Sequence, residues 1–138
     1  MIILDGKKTS NDIKSEIAEE VKKITESANR PPHLAAVIVG SDGASLTYVG
    51  SKVKACEKVG YESTLIKLSE NTTQNELLNQ VEKLNNNDSI DGYIVQLPLP
   101  SHIDAQTILM AVDPNKDVDG FHPTNFGKMS LNLPTFIS

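Results

Sequence analysis

A chain of 138 residues, 38% hydrophobic and 22% charged, has the size and balance of one globular domain that buries a core without staples. Thirteen basic residues against eighteen acidic give a net charge of -5, and Arg30 is the only arginine, so the basic stripe of a nucleic-acid binder is missing. A single cysteine, Cys56, excludes an intrachain disulfide, and no apolar run approaches membrane-spanning length.

The start, "MIILDGKK", holds only a short apolar run before Asp5, which does not have the form of a secretory signal. The cytoplasm is the expected compartment, and the sequons at Asn71 and Asn87 are expected to stay unmodified. Ile13, Ile17, Val21 and Ile24 then recur at helical spacing in "SNDIKSEIAEEVKKITES", which predicts an amphipathic helix ended by "RPP". "HLAAVIVG" is a continuous, β-branched apolar run closed by glycine and reads as a strand buried on both faces. After "SDG", a helix is predicted from Ala44 to Val59, with Leu46, Val49, Val53 and Cys56 as its buried stripe. "YESTLIKL" is the second strand. "TTQNELLNQVEKLNNND" is the next helix, with Thr72 or Thr73 as N-cap. "DGYIVQLPLP" is the third strand, stopped by two prolines. "DAQTILMAV" is a short helix, "DPNKDVDGFHP" a long irregular loop, and "TNFGKMSLN" one last helical turn.

Strands alternating with helices in β-α-β-α-β-α order predict an α/β fold: an open, mostly parallel sheet flanked by helices, the N-terminal helix packed on it. Such sheets bind ligands beyond the carboxyl ends of their strands. The "GSDG" turn, the "QLPLP" strand end and the "DPNKDVDG" loop fall there. The whole chain, 1–138, reads as a single domain without repeats or linkers. It stops after the apolar "LNLPTFIS" and reads as cut from something longer.

Tyr48 and Lys52 are four apart and share a helix face, about 100° round from the Val49/Val53 stripe, at the rim of the buried surface. A tyrosine there offers a flat stacking face and a hydroxyl, and a half-desolvated lysine suits proton transfer. From the pair alone, a boundary tyrosine beside a snorkelling lysine is the favoured reading. The same Tyr-x-x-x-Lys spacing occurs in short-chain dehydrogenases, but here it comes too early and no G-x-G-x-x-G precedes it. "GSDG", Gly40 to Gly43, reads as a tight turn with Ser41 or Asp42 as cap rather than an anion site. "NKDVDG" imitates a calcium loop, but its first position is Asn115 and its twelfth is Phe126. His33, His102 and His122 have no metal-ligand spacing, so no metal is expected. Gln96 sits at a strand end, where its amide orients a ligand or a neighbouring side chain, or merely ends the strand. Either X-Pro bond of "LPLP" is a candidate cis bond.

In order, "ILDGKKTSNDIKSEI", "VGSDGASLTYVGSKVKACEKVGY", "DGYIVQLPLP" and "DPNKDVDGFHPTNFGKM" resemble the catalytic half of the bifunctional methylenetetrahydrofolate dehydrogenase/methenyltetrahydrofolate cyclohydrolases. The resemblance covers nearly the whole chain. It implies a folate-binding catalytic domain, with a Rossmann-like NADP-binding domain in a C-terminal half that this sequence lacks. It implies that Tyr48 stacks on the aminobenzoyl ring of the folate and that Lys52 is the catalytic lysine. Gln96 would hydrogen-bond and tune Lys52, and Asp119 would accept hydrogen bonds from the amino-pyrimidine edge of the pterin. Val95 and Leu97 would line the substrate beside them.

The resemblance further implies tetrahydrofolate derivatives as substrates, NADP as cofactor and a homodimeric full-length protein, with neither nucleic acid nor membrane as partner. An exposed apolar patch is expected where the other half would sit. Gly43 replaces a proline common at that turn in the family. Two other readings stand beside this one: a catalytically silent folate-binding module, and the substrate domain of another two-domain dehydrogenase such as the shikimate type.

Overall fold

β1 (His33–Val39) lies between β2 (Glu62–Leu68) and β3 (Gly92–Val95) in a parallel three-stranded sheet of order β2-β1-β3. The structure, a computed structural model, describes residues 5–136; the apolar start at 1–4 and the last two residues of "LNLPTFIS" lie outside the described residues. A central parallel strand is covered on both faces, which is why β1 is an unbroken apolar run rather than an alternating one. Its residues divide by parity between two cores. Ala35, Val37 and Val39 pack with Leu77, Val81 and Leu84 of α3 (Gln74–Asn85) and Ile108 of α4 (Ala105–Ala111). Ala36 and Ile38 pack with Val49 of α2 (Gly43–Val59) and Ile94 of β3. The predicted order of strands and helices is the one observed, with α1 (Gly6–Glu26) packed against α2.

Several element ends differ from expectation, each for a local reason. α1 begins one turn early because the Asp5 carboxylate accepts the Lys8 N–H at 2.9 Å. Its predicted stripe is only partly covered: Val21 is buried, but Ile13 and Ile24 are exposed. An apolar groove of about 790 Å³ remains between α1 and α2, lined by Ile13, Ile17, Leu34, Ala55, Val59 and Tyr61 among others. On α2, Val49 and Cys56 are buried and Val53 is half-buried, whereas Leu46, in the first turn, is at the exposed margin. Thr73 rather than Thr72 caps α3, in a reciprocal capping box with Glu76. α5 (Pro123–Ser130) is a full eight-residue helix where one turn was expected. His122 Nδ1 accepts the Thr124 N–H and Pro123 opens the first turn with its φ already helical.

The loop that follows α4 runs along the free edge of β3. Tyr93 N–H donates to the Lys116 carbonyl at 2.9 Å, and Tyr93 and Asp117 form a parallel bridge. The Lys116 ammonium donates to the carbonyls of Leu84 (3.0 Å) and Asn87 (2.8 Å), tying the loop to the carboxyl end of α3. Asn85 adds a second tie, accepting from the Tyr93 hydroxyl and the Asp113 N–H and donating to the Ala111 carbonyl. Burial pushes the Tyr93 phenol well above its ordinary range, so it stays a hydroxyl donor at any physiological pH. Gly92 leaves room for this edge. A Cβ there would collide with Val118 Cγ1, so the side chain of Val118 occupies the space that any other residue would fill. Gly92→Ala is therefore expected to cost about 1–3 kcal/mol through overpacking. A thermal melt should show a midpoint lowered by several degrees, and an unchanged midpoint would mean that the loop does not depend on this contact.

Candidate functional site

The carboxyl end of β3 faces the first half of α2, and the β3-edge loop closes the third side. The register of α2 decides what faces this corner. Val49 is buried, so Tyr48 and Lys52 stand at the rim, with Tyr48 58% exposed and the Lys52 side chain 28% exposed. Lys52 Nζ lies 4.9 Å from the centroid of the Tyr48 ring, a cation–π arrangement. The same nitrogen lies 3.5 Å from Asp119 Oδ1. Asp119 comes from the turn of the loop, where Gly120 takes φ +70°, a left-handed conformation that suits glycine.

These groups line one concavity of about 360 Å³, formed by Tyr48, Lys52, Val95, Gln96, Leu97, Asp119 and Phe121. Every site residue predicted from the sequence is thus brought to one place. Phe121 is the addition. It lies outside any periodic stripe, is 51% exposed, and follows the glycine of "DVDGF" directly. A large exposed aromatic next to a glycine turn is the signal that would have found it.

Gln96 is in the same wall but makes a different bond from the one the resemblance implies. Its backbone N–H donates to the Val37 carbonyl at 2.8 Å, extending the strand pairing by one residue. Its side-chain amide donates to the Leu97 carbonyl at 2.6 Å, while Lys52 pairs with Asp119. The bond between Leu97 and Pro98 is cis.

The other sequence candidates lie apart from this corner. Gly40 takes φ +86° and the Asp42 carboxylate accepts the Ser45 N–H at 2.8 Å, so "GSDG" is a capped turn. That bond holds the Asp42 carboxyl below the usual carboxylate range. Asp117 of "NKDVDG" is buried and its carboxylate is engaged by protein donors. His33 pairs with Thr64, His102 with the Thr72 carbonyl, and His122 caps α5. Among the described residues no cluster of three His, Cys, Asp or Glu side chains with metal-binding geometry forms. No helix among them is long and apolar enough to cross a membrane.

The concavity combines two aromatic faces, an ammonium, a carboxylate and an apolar floor. Such a set suits a flat conjugated ligand that presents a donor edge to Asp119 and a reactive atom to Lys52.

Comparison with known proteins gives the same direction. The catalytic-domain model of tetrahydrofolate dehydrogenase/cyclohydrolase matches residues 4–119. A "Bifunctional protein FolD" from Flavobacterium psychrophilum is 66% identical over 137 residues, covering 99% of this chain and 47% of that protein. The solved structure of the bifunctional FolD methylenetetrahydrofolate dehydrogenase/cyclohydrolase from Campylobacter jejuni superposes with a TM-score of 0.94 at 46% identity, covering 99% of this chain and 48% of that one. The Trypanosoma brucei enzyme, solved with NADP cofactor and an inhibitor, gives a TM-score of 0.88 at 35% identity, covering 93% and 43%. The chain spans about half the length of the relatives it matches.

Proposed function

The chain belongs to the tetrahydrofolate dehydrogenase/cyclohydrolase catalytic-domain family, and from that premise we propose that it is the folate-binding catalytic half of a bifunctional enzyme. That enzyme interconverts methylene-, methenyl- and formyl-tetrahydrofolate as an NADP-dependent dehydrogenase and a cyclohydrolase. The observation that carries the proposal is the convergence of Tyr48, Lys52, Val95, Gln96, Leu97 and Asp119 on one concavity at the carboxyl end of β3.

In this reading the pterin lies over Val95 and Leu97 with its amino-pyrimidine edge against Asp119. The carboxylate has two oxygens, so it can accept from that edge and keep its pairing with Lys52. Tyr48 stacks on the aminobenzoyl ring. Lys52, over the Tyr48 face, then stands beside the one-carbon bridge between pterin and aminobenzoyl groups. In the hydrolytic step water adds to the cationic methenyl carbon and one carbon–nitrogen bond of the bridge breaks. Lys52 holds that water and moves the proton between it and the leaving nitrogen. Gln96, beside Lys52, orients it after turning from the Leu97 carbonyl.

NADP does not fit the residues described. The only strand-to-helix glycine turn at β1, "GSDG", carries the Asp42 carboxylate on the amino end of α2, where a pyrophosphate would meet like charge. NADP is assigned instead to the C-terminal half that relatives of twice this length carry. Phe126, Leu131, Leu133 and Phe136 on α5 and beyond are exposed, which fits cover by that half. The proposal places residues 1–138 in one domain, the enzyme in the cytoplasm, and the full-length protein in a homodimer.

Ligand preference tests the reading against a shikimate-type substrate domain. Calorimetric titration is expected to show saturable binding of folinic acid (5-formyltetrahydrofolate) and none of shikimate. Saturation by shikimate alone would overturn the folate assignment.

A further inference from the structure

We propose that Asp117, the first carboxylate of "DVDG", is the positioning residue that presents Asp119 to the pterin edge. The inference rests on the folate reading of the site and adds to it the device that shapes its recognition loop.

Asp117 is only 5% exposed, yet it lies two residues from an Asp119 whose side chain is a third exposed. A buried carboxylate is costly unless donors satisfy it. Here the donors are specific. Asp117 Oδ2 accepts the His122 N–H at 2.8 Å and the Asn125 side-chain N–H at 3.0 Å. Asn125, 2% exposed, also donates to the Pro114 carbonyl at 2.8 Å and accepts from the Thr135 hydroxyl at 2.8 Å. The paired side chains of Asp117 and Asn125 therefore join the start of the loop at Pro114, its far end at His122, and α5.

The backbone of the same residue closes the inner part of the loop. The Asp117 carbonyl accepts the Gly120 N–H at 3.2 Å, and Asp117 bridges to Tyr93 on β3. Residues 117–122 are thus closed twice by one residue, once through its carbonyl and once through its carboxylate. Asp119 and Phe121 are the two side chains that this closed turn turns outward into the concavity. Val118, between Asp117 and Asp119, packs against the α2-side core. The carboxylate of Asp117 has no part in the concavity itself, so its effect on the pterin edge passes through Asp119. The acceptor, rather than the charge, is what the geometry uses: both donors converge on one oxygen, which an asparagine amide oxygen can replace.

The test is a double-mutant cycle read by NMR titration of the chain with folinic acid. Asp117→Ala is expected to raise the dissociation constant about tenfold, as expected for loss of a buried charge-assisted acceptor. In an Asp119→Ala background the same substitution is expected to change it less than about twofold, because the two residues act through one contact. Asp117→Asn is expected to restore binding to within about threefold of the parent. Should Asp117→Ala not fold, Asp117→Ser, whose shorter hydroxyl reaches at most one donor, is read in the same way. Equal losses in both backgrounds, or no loss in the parent, would overturn the positioning role while leaving the folate site standing. A parent that does not bind folinic acid would overturn the folate reading and this proposal together.

Discussion

Replacing Lys52 by methionine is expected to abolish hydrolysis of methenyl-tetrahydrofolate by the full-length enzyme of the proposal while leaving the fold intact. The two halves of that expectation come from different observations. Among the described residues Lys52 is the only ammonium lining the concavity, so its loss removes the group that holds water and moves its proton. Positioned acid–base groups contribute about 10²–10⁴ in rate, and a loss of that size is expected in the decay of methenyl-tetrahydrofolate absorbance. The fold depends little on this charge. Its partner, Asp119, is 3.5 Å away and a third exposed, and such exposed pairs contribute about 0–1 kcal/mol. Methionine keeps the length of the apolar stem while removing the ammonium. A variant that melts like the parent but hydrolyses as fast would remove Lys52 from the mechanism.

Asp119→Ala is expected to weaken folinic acid binding by about 10–100-fold, the net loss of one hydrogen bond to a charged acceptor at about 1.5–3 kcal/mol. Asp119→Asn is expected to fall between parent and alanine. Its amide keeps one acceptor oxygen for the donor edge of the pterin but turns an N–H₂ toward the other donor. Calorimetry on the three proteins separates the outcomes. Equal affinity of parent and alanine variant would mean that the pterin edge lies elsewhere.

Much of this architecture is legible in the sequence. β1 shows itself because a strand covered on both faces must be apolar throughout, and α3 because Leu77, Val81 and Leu84 keep helical spacing and Thr73 with Glu76 forms a capping box. Tyr48 and Lys52 were legible as a pair because helix geometry fixes which residues share a face. What escaped depends on contacts between residues far apart in sequence. Nothing in "NKDVDG" alone says that Asp117 turns inward to Asn125 while Asp119 turns outward to Lys52. The requirement for glycine at 92 comes from Val118, twenty-six residues later. Ile13 and Ile24 carry a correct helical pattern, but their exposure depends on how much of α1 the neighbouring α2 can cover. The sequence shows Gln96 at its strand end, but its amide bonds the adjacent Leu97 carbonyl, a partner that no spacing rule predicts. The length of α5 was hidden because its start depends on a histidine cap followed by proline, a weaker sequence signal than Ser, Thr or Asp.

Two of the concavities among the described residues differ sharply in character: the polar corner beside Lys52, about 360 Å³, and the larger apolar groove between α1 and α2, about 790 Å³. Size alone would favour the groove. Chemistry favours the corner, where an ammonium, a carboxylate, an amide and two aromatic rings meet. A crystal structure of the chain with folinic acid decides between them. The account predicts the pterin edge on Asp119, the aminobenzoyl ring against Tyr48 and Lys52 Nζ within hydrogen-bond reach of the one-carbon group. Folinic acid seated between α1 and α2, with Lys52 and Asp119 still facing each other untouched, would contradict it.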